Sequence, residues 1–490
     1  MQTLSQINKN LEVIKKLIKL NSKIFYYKNI NYFPLIKLAM FTNTGLENRK
    51  KRNKIFSSIK FLSNIPFFLI NKFFYKKYLK KNLRKTDVVF FSDVNFYYDK
   101  YKNKKFNAFI DPYFRLISKK YNSTKLEIVP HWHNDKKNKL VQPIYIKFLY
   151  LNLIKFIFFK IKDYLFFKEK KFYKDLEVLL KEHQIDFNKD SFQKKFDQIY
   201  FHSKLLEKIL KKIDPKTVLL TCYYNDMSLS IILACKRLNI KTVDIQHGGF
   251  EPEHVMYRYW QKSELNKGYE LLPNFFWVWH KDHLKDKFYY HNKNHKVVEG
   301  GKLLIQNIEK IIENTQKNLT PKDRNFIESL KKYKKKILFC ATSDVPDCLI
   351  KSIKISQKNK NWLWMIRLHP RHSNYKKLIE KLIKENISLK NIQIKNPSKI
   401  NLQFMINKSS HVLIDQSSVV LDAAYQKKPV ICLTNQKNLF SSWDNLKVCN
   451  FSSNPSKIIS LIKEVNINRC SNAINYEVRD FASLKNFFFN

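Results

Sequence analysis

At 490 residues and 44% hydrophobic content, the chain has room for two or three domains of roughly 100–200 residues each and for a real core, which excludes a segment too polar to fold. The formal net charge of +51 points to an anionic partner, whether nucleic acid, an acidic membrane surface or a phosphorylated substrate, although a coding bias toward Lys, Asn, Ile, Phe and Tyr accounts for part of it. Seven cysteines (Cys222, Cys235, Cys340, Cys348, Cys432, Cys449 and Cys470), odd in number and never in a CxxC pair, argue against a disulfide framework and for buried thiols in a reducing compartment.

The opening "MQTLSQINKNLEVIKKLIKL" alternates apolar with charged residues and lacks a continuous apolar run, so no secretory signal is read and a cytoplasmic location is expected. Residues 1–85 read as a basic, mainly helical N-terminal extension, broken at "ENRKKRNK". Two aromatic, lysine-rich stretches, Asn64 to Lys81 and Tyr145 to Phe167, tempt a membrane reading. Lys147, Lys155, Lys160 and Lys162 interrupt the longer one, and a spanning helix needs about 20 mostly apolar residues. Each reads as an ordinary buried helix or as an interfacial helix whose lysines snorkel to acidic headgroups.

From residue 86 the hydrophobic period changes. "TDVVFFS" and "LEIVP" read as strands, and a long helical section follows at 143–213. Then "KTVLLTCYY", "IKTVDIQ", "FFWVWH" and "KVVEGG" read as strands, with helices at "DMSLSIILACKRLN" and "KDHLKDKFYYH". After a charged helix from Gln306 to Lys336 the alternation restarts with strands "KKILFCAT", "WLWMIRLHP", "IQIKNP", "HVLID" and "KPVICL". Short apolar strands alternating with helices of about three turns predict two doubly wound α/β domains, at 86–305 and 306–465, with a tail at 466–490 packing back on the first. Ligands of such sheets sit at the carboxyl ends of the strands.

The unusual residues fall at those ends. Glycine is scarce, six in the chain, yet two adjacent glycines follow a strand and a histidine in "DIQHGG": Gly248 and Gly249 allow a tight turn and a close backbone approach, and His247 is a candidate general base. A second pair is Gly300-Gly301. In "MIRLHPRH" a strand ends at Arg367, and His369 and Arg371 follow with His372 beside Pro370, a cationic cluster suited to phosphate. In "HVLIDQSSVVLDAAYQKKPVI" the strand ends at Asp415, and Ser417 and Ser418 stand at the cap and first turn of the next helix, where free N–H groups and the dipole favour an anion. Glu251 and Glu253 are alternative bases near His247, and Asp344 is a donor-side group or a helix cap. His131 and His133 in "PHWHND" share a strand face with Asp135 following, a zinc pattern without a third ligand or an acceptor-side pair.

The ordered set QHG, HP and D-x-SS-x-x-x-D-A followed by KPVI, with "FNAFIDPYFRLI" and the run into QHG, resembles the GT-B glycosyltransferases of bacterial surface carbohydrate biosynthesis over about 86 to 433, a group that includes polysialyltransferases and the CDP-glycerol glycerophosphotransferases of teichoic acid synthesis. The resemblance implies two Rossmann-like domains facing a cleft. It further implies a nucleotide-sugar donor whose phosphate is bound by His369, Ser417 and Ser418, and a glycan or lipid-linked glycan acceptor faced by His247 as base; the residues themselves add Arg367, Arg371 and Asp415 on the donor side and Gly248, Gly249, His131 and His133 on the acceptor side, with Glu251 as the alternative base. No Asp-x-Asp pair is present, so transfer without a metal or other cofactor is expected, and the resemblance implies inversion at the anomeric carbon. A CDP-alditol donor presents the same pyrophosphate and stays open, as does a non-catalytic binder of nucleic acid or membrane. No zinc finger, helix-turn-helix or single basic stripe speaks for specific nucleic-acid binding. A glycan-building role suits a peripheral position on the acidic inner face of the cytoplasmic membrane.

Overall fold

The computed structural model of the chain describes residues 4–27, 29–42, 65–93, 99–101, 104–129, 139–148, 177–178, 180–182, 189–248, 254–279, 293–342, 345–369, 375–415, 417–435, 437 and 448–464. The chain opens with α1 (Leu4–Leu17), the strand pair β1 (Tyr26–Tyr27) and β2 (Ile30–Asn31), α2 (Phe33–Thr42) and α3 (Ile65–Asn82). There follow β3 (Val88–Ser92), the hairpin β4 (Asp99–Tyr101) and β5 (Lys104–Phe106), α4 (Asp111–Ile117), β6 (Ser123–Ile128), β7 (Ile144–Ile146) and α5 (Lys189–Ile213). The first domain then adds β8 (Thr217–Thr221), α6 (Asp226–Arg237), β9 (Lys241–Ile245), α7 (Lys262–Lys267), β10 (Phe275–Val278) and β11 (Lys296–Glu299).

The second domain runs through α8 (Ile308–Lys317), α9 (Pro321–Ser329), β12 (Lys335–Cys340), α10 (Asp347–Ser356), β13 (Trp362–Arg367), α11 (Tyr375–Lys384) and β14 (Ile392–Gln393). It continues with α12 (Lys395–Lys399), α13 (Leu402–Lys408), β15 (His411–Ile414), α14 (Val419–Tyr425), β16 (Val430–Cys432), β17 (Asn450–Phe451) and α15 (Pro455–Glu464).

The two domains repeat one topology. The first sheet has seven strands in the order β11-β10-β9-β8-β3-β6-β7, and the second has six in the order β14-β13-β12-β15-β16-β17. Every pairing in both sheets is parallel. Parallel strands with helices on both faces have no solvent side, which is why "VVFFS", "TVLLT" and "WLWMIR" are buried along their whole length. Counted within each domain, both orders reverse beside the first strand: between β3 and β8 in one sheet and between β12 and β15 in the other. At such a switch point the flanking crossovers leave on opposite faces and open a crevice at the carboxyl edge.

The N-terminal segment is no appendage. Leu11, Phe33 and Ile36 share one core with Phe192 and Ile209 of α5. Lys37 is fully buried, donates to the carbonyls of Arg258 and Tyr259, and lies 3.4 Å from the centroid of the Trp260 ring. Burial pushes its ammonium well below the ordinary lysine range. Lysine-rich composition hid this, because one buried lysine among many carries no sequence signal.

Other elements also depart from expectation. The stretch from Tyr145 begins inside β7, an edge strand capped by α3: Tyr75 donates to the Tyr145 carbonyl at 3.0 Å and accepts from the Lys147 amide at 2.7 Å. Residues 149–167 of that stretch lie outside the described residues. The charged helix expected over 306–336 is two helices, parted where Thr320 caps α9 by accepting from the Asp323 amide at 3.2 Å and Pro321 takes the first helical position.

Candidate functional site

In the first domain, β9 carries "TVDIQHG" to the carboxyl edge. Gln246 is fully buried and fixes the chain as it leaves: its amide donates to the Trp277 carbonyl at 2.9 Å, its side-chain oxygen accepts from the Trp279 amide at 2.8 Å, and its side-chain nitrogen donates to the Gly248 carbonyl at 2.9 Å. The half-buried His247 therefore leaves a rigid bracket, with Nε2 3.3 Å from the Tyr224 hydroxyl and its ring edge-on to Phe109 at 6.2 Å between centroids. Phe109 also packs against the core of the second domain, so the histidine stands where the domains meet.

Gly248 stands at the exit of this bracket, half-buried. Among the described residues a Cβ added there would meet nothing within 4 Å, so none of them demands glycine at that position. Gly249 and Glu251 lie outside the described residues, as do Glu253, His131, His133 and Asp135. The pair that sterics do demand is the other one: a Cβ on Gly300 would sit 1.9 Å from the Trp277 ring, and Gly301 has φ +76°.

Sequence reasoning missed what surrounds His247. The Tyr224 hydroxyl also lies 3.3 Å from Nε2 of His254, which burial and the neighbouring His247 push down to about 3, so that this imidazole is neutral. Beneath them Asp244, fully buried, accepts from the Tyr223 amide at 3.1 Å and the Tyr257 hydroxyl at 3.2 Å. Burial pushes its carboxyl well above the usual range, and the hydroxyls of Tyr224 and Tyr257 rise for the same reason. A protonated tyrosine between two imidazoles can donate to one and accept from the other. No local spacing announces this group: "YYN" follows β8 and "QHG" follows β9, and only the pairing of the two strands sets them side by side.

Next to this network lies a cavity of about 340 Å³ at the β3/β8 switch point, lined by Ser92 at the end of β3, Asp93 after it, Thr221 of β8, and Asn225, Asp226 and Ser228 at the start of α6. Its polar lining is hydroxyl, amide and carboxylate, the groups that hold a polyhydroxylated molecule.

In the second domain, Asp415 closes the β12/β15 switch point by accepting from the Thr342 hydroxyl at 2.7 Å and the Thr342 amide at 3.1 Å. Ser418 occupies the cap position of α14 without a side-chain cap bond, and the Ser417 hydroxyl accepts a long 3.4 Å bond from the Val419 amide. His369, half-buried, follows β13 on the same edge. Arg367 is different: it is buried, and its Nη1 donates to the carbonyls of Pro397, at 2.6 Å, and Ile400. Through that nitrogen it braces the turns around α12. Arg371, Pro370, His372 and Asp344 lie outside the described residues. The second aspartate of the motif, Asp422, forms a buried ion pair with Lys302, just past the two linker glycines, and so ties the linker to α14. Among the described residues no three His, Cys, Asp or Glu side chains form a metal-ligand group, and the six described cysteines are free thiols.

No family model and no curated protein matches the chain. Among solved structures it is similar to UDP-GlcNAc 2-epimerase from Neisseria meningitidis bound to UDP-GlcNAc, with a TM-score of 0.50 and 14% identity over 82% of this chain and 99% of that one. UDP-GlcNAc 2-epimerase from Methanocaldococcus jannaschii gives 0.49 and 13% over 82% and 99%, and the wall teichoic acid polymerase TagF gives 0.38 and 12% over 89% and 93%. At such identities the likeness is one of fold, and together with the two sheets it makes the architecture GT-B: two Rossmann-like domains facing a cleft.

Proposed function

We propose that the chain is a transferase that moves a sugar from a nucleotide-activated donor to a hydroxyl of a surface-glycan acceptor. The observation that carries this is the pairing of two switch points. One bears the His247–Tyr224–His254 group beside a hydroxyl- and carboxylate-lined cavity; the other bears His369, Ser417 and Ser418 around the Asp415 bracket. In the reaction the acceptor oxygen attacks the anomeric carbon, the bond to the nucleotide phosphate breaks, and the acceptor proton passes to His247. His369 and the serine-bearing edge stabilise the departing phosphate. The expectation of transfer without a bound metal rests on this division of labour. The test is nucleotide release from CMP-, UDP- and GDP-sugars and from CDP-glycerol with a capsular or lipid-linked acceptor. Acceptor-dependent release that His247→Ala abolishes supports the proposal; release independent of acceptor with every donor contradicts it.

We further propose that the protein works on the acidic inner surface of the cytoplasmic membrane. Tyr75 and Leu79 of α3 are buried, whereas Phe73 and Phe74 are 69% and 63% exposed among the exposed lysines Lys76, Lys77, Lys80 and Lys81. Aromatic rings held among cations suit the headgroup region of an anionic bilayer. Among the described residues no helix is long and apolar enough to cross a membrane.

A further inference from the structure

A second cavity, of about 380 Å³, lies between the domains, where α4 of the first faces α8 and the chain leading into it. It shares no lining residue with the cavity beside His247. One wall carries Arg115 and Lys119, the other Asn307 and Lys310, and Tyr101 of the β4–β5 hairpin completes the rim. Below, Phe106, Leu304 and Ile311 pack as a small apolar cluster that joins the hairpin to α8. The Tyr101 hydroxyl accepts from Asn314 at 3.3 Å, and the Arg115 guanidinium carbon lies 6.0 Å from the Tyr101 ring centroid. The rim is therefore built from both domains, since Ile308 of α8 belongs to the core of the second.

The charge is one-sided. Arg115, Lys119 and Lys310 line the cavity from its exposed side and have no carboxylate partner among the described residues. Like charges on facing walls repel unless an anion stands between them, and a concave site concentrates their field. Arginine adds a planar fork that fits phosphate oxygens in pairs, Asn307 adds an amide, and the apolar floor accommodates the carbon skeleton of an ester.

We propose that this cavity binds a phosphate ester, and that the bound phosphate bridges Arg115 and Lys119 of the first domain to Lys310 of the second. Occupancy holds α4 against α8 and so couples an anion outside the proposed transfer site to the spacing of the domains. Such binding is independent of the transfer reaction.

Pyrophosphate titrated calorimetrically into the full-length protein at about 0.15 M chloride, the physiological ionic strength, is the test. The wild type is compared with Arg115→Gln, with Lys310→Gln, with the donor-edge variant His369→Ala/Ser418→Ala, and with a surface control, Lys322→Gln/Lys376→Gln. All the lysine and arginine positions are exposed, and unchanged thermal unfolding checks the fold of each variant. A binding event that survives in the donor-edge and control variants but weakens at least tenfold in both Arg115→Gln and Lys310→Gln is expected. Loss only in the donor-edge variant assigns the event to that edge and overturns the proposal. Equal weakening in the surface control reduces it to general screening, and loss with Arg115→Gln but not Lys310→Gln overturns the bridge between domains.

Discussion

Tyr224 holds its hydroxyl 3.3 Å from Nε2 of His247, and the same oxygen lies 3.3 Å from His254. In the proposed transfer His247 takes the acceptor proton and Tyr224 fixes its ring and tautomer. His247→Ala therefore lowers turnover by about 10²–10⁴-fold, the range of a lost general base, while nucleotide affinity stays within a factor of two or so. Tyr224→Phe keeps the ring and loses only the hydroxyl, so a smaller loss, roughly tenfold, is expected in turnover, with thermal unfolding little changed. Initial rates beside nucleotide calorimetry on the same preparations check both; parallel loss of nucleotide binding would place His247 on the donor side.

His254 also predicts a pH dependence of stability. Its folded value is about 3 against 6.5 ordinarily, so between these values the unfolded chain binds the extra proton. The stabilisation is complete above pH 6.5 and drains away as the pH falls toward 3. From pH 6.5 to about pH 5 this one group costs about 2 kcal/mol, at about 1.36 kcal/mol per pH unit. His295 and His411, each pushed down to about 4 by burial, add further losses of the same sign. Urea unfolding at about pH 7 and about pH 5 should show His254→Gln losing less stability than the wild type by about that amount.

Asp244 runs the other way. Its carboxyl is pushed well above 3.8 by burial, so the folded state keeps a proton that the unfolded state releases, and stability falls as the pH rises from about 4 toward the raised value. Asn in its place has nothing to titrate and still accepts from the Tyr223 amide. Asp244→Asn is therefore expected to match the wild type near about pH 4 and to exceed it increasingly at higher pH, in the same unfolding experiment.

The junction between the domains makes two stability predictions. Gly300→Ala drives a methyl into the Trp277 ring and should cost about 3 kcal/mol or more. Asp422→Ala leaves Lys302 buried without its partner and should cost about 3–5 kcal/mol, whereas the double change Lys302→Met/Asp422→Leu should recover most of it. Denaturant midpoints of the three variants provide the check.

Membrane attachment through α3 should weaken as salt rises. Replacing Lys76, Lys77, Lys80 and Lys81 with Gln removes attraction worth about 1 kcal/mol per lysine near an anionic surface. Co-sedimentation with vesicles containing phosphatidylglycerol is expected to fall steeply in that variant and in Phe73→Ala/Phe74→Ala; wild-type binding that survives undiminished in about 1 M salt, where surface charges are screened, contradicts the placement.

The alternation of short apolar strands with three-turn helices made both domains legible, because buried parallel strands leave few polar interruptions: β3, β8, β9, β12, β13 and β15 all lie within the runs read as strands. Three short or late elements were not legible. β7 has three residues inside an aromatic stretch of helical appearance, β17 has two, and α15 lies in a segment for which no element was read. At the site, the residue types at the strand ends were readable, but their directions were not. Arg367 and His369 are two positions apart, yet Arg367 is turned onto the carbonyls of Pro397 and Ile400. Likewise Asp244, Tyr224 and His254 are brought together only by the fold, and no local spacing announces them.

A nucleotide pocket at the carboxyl edge of the second sheet is central to the proposed transfer, and it is tested most directly by thermal stabilisation of the purified protein with CMP, CDP, UDP and GDP, without added metal, beside His369→Ala/Ser418→Ala. Stabilisation by one nucleotide in preference to the others, and its loss in the double variant, is the predicted result. Failure of every nucleotide to stabilise the wild type, with stabilisation by nucleic acid instead, would contradict it.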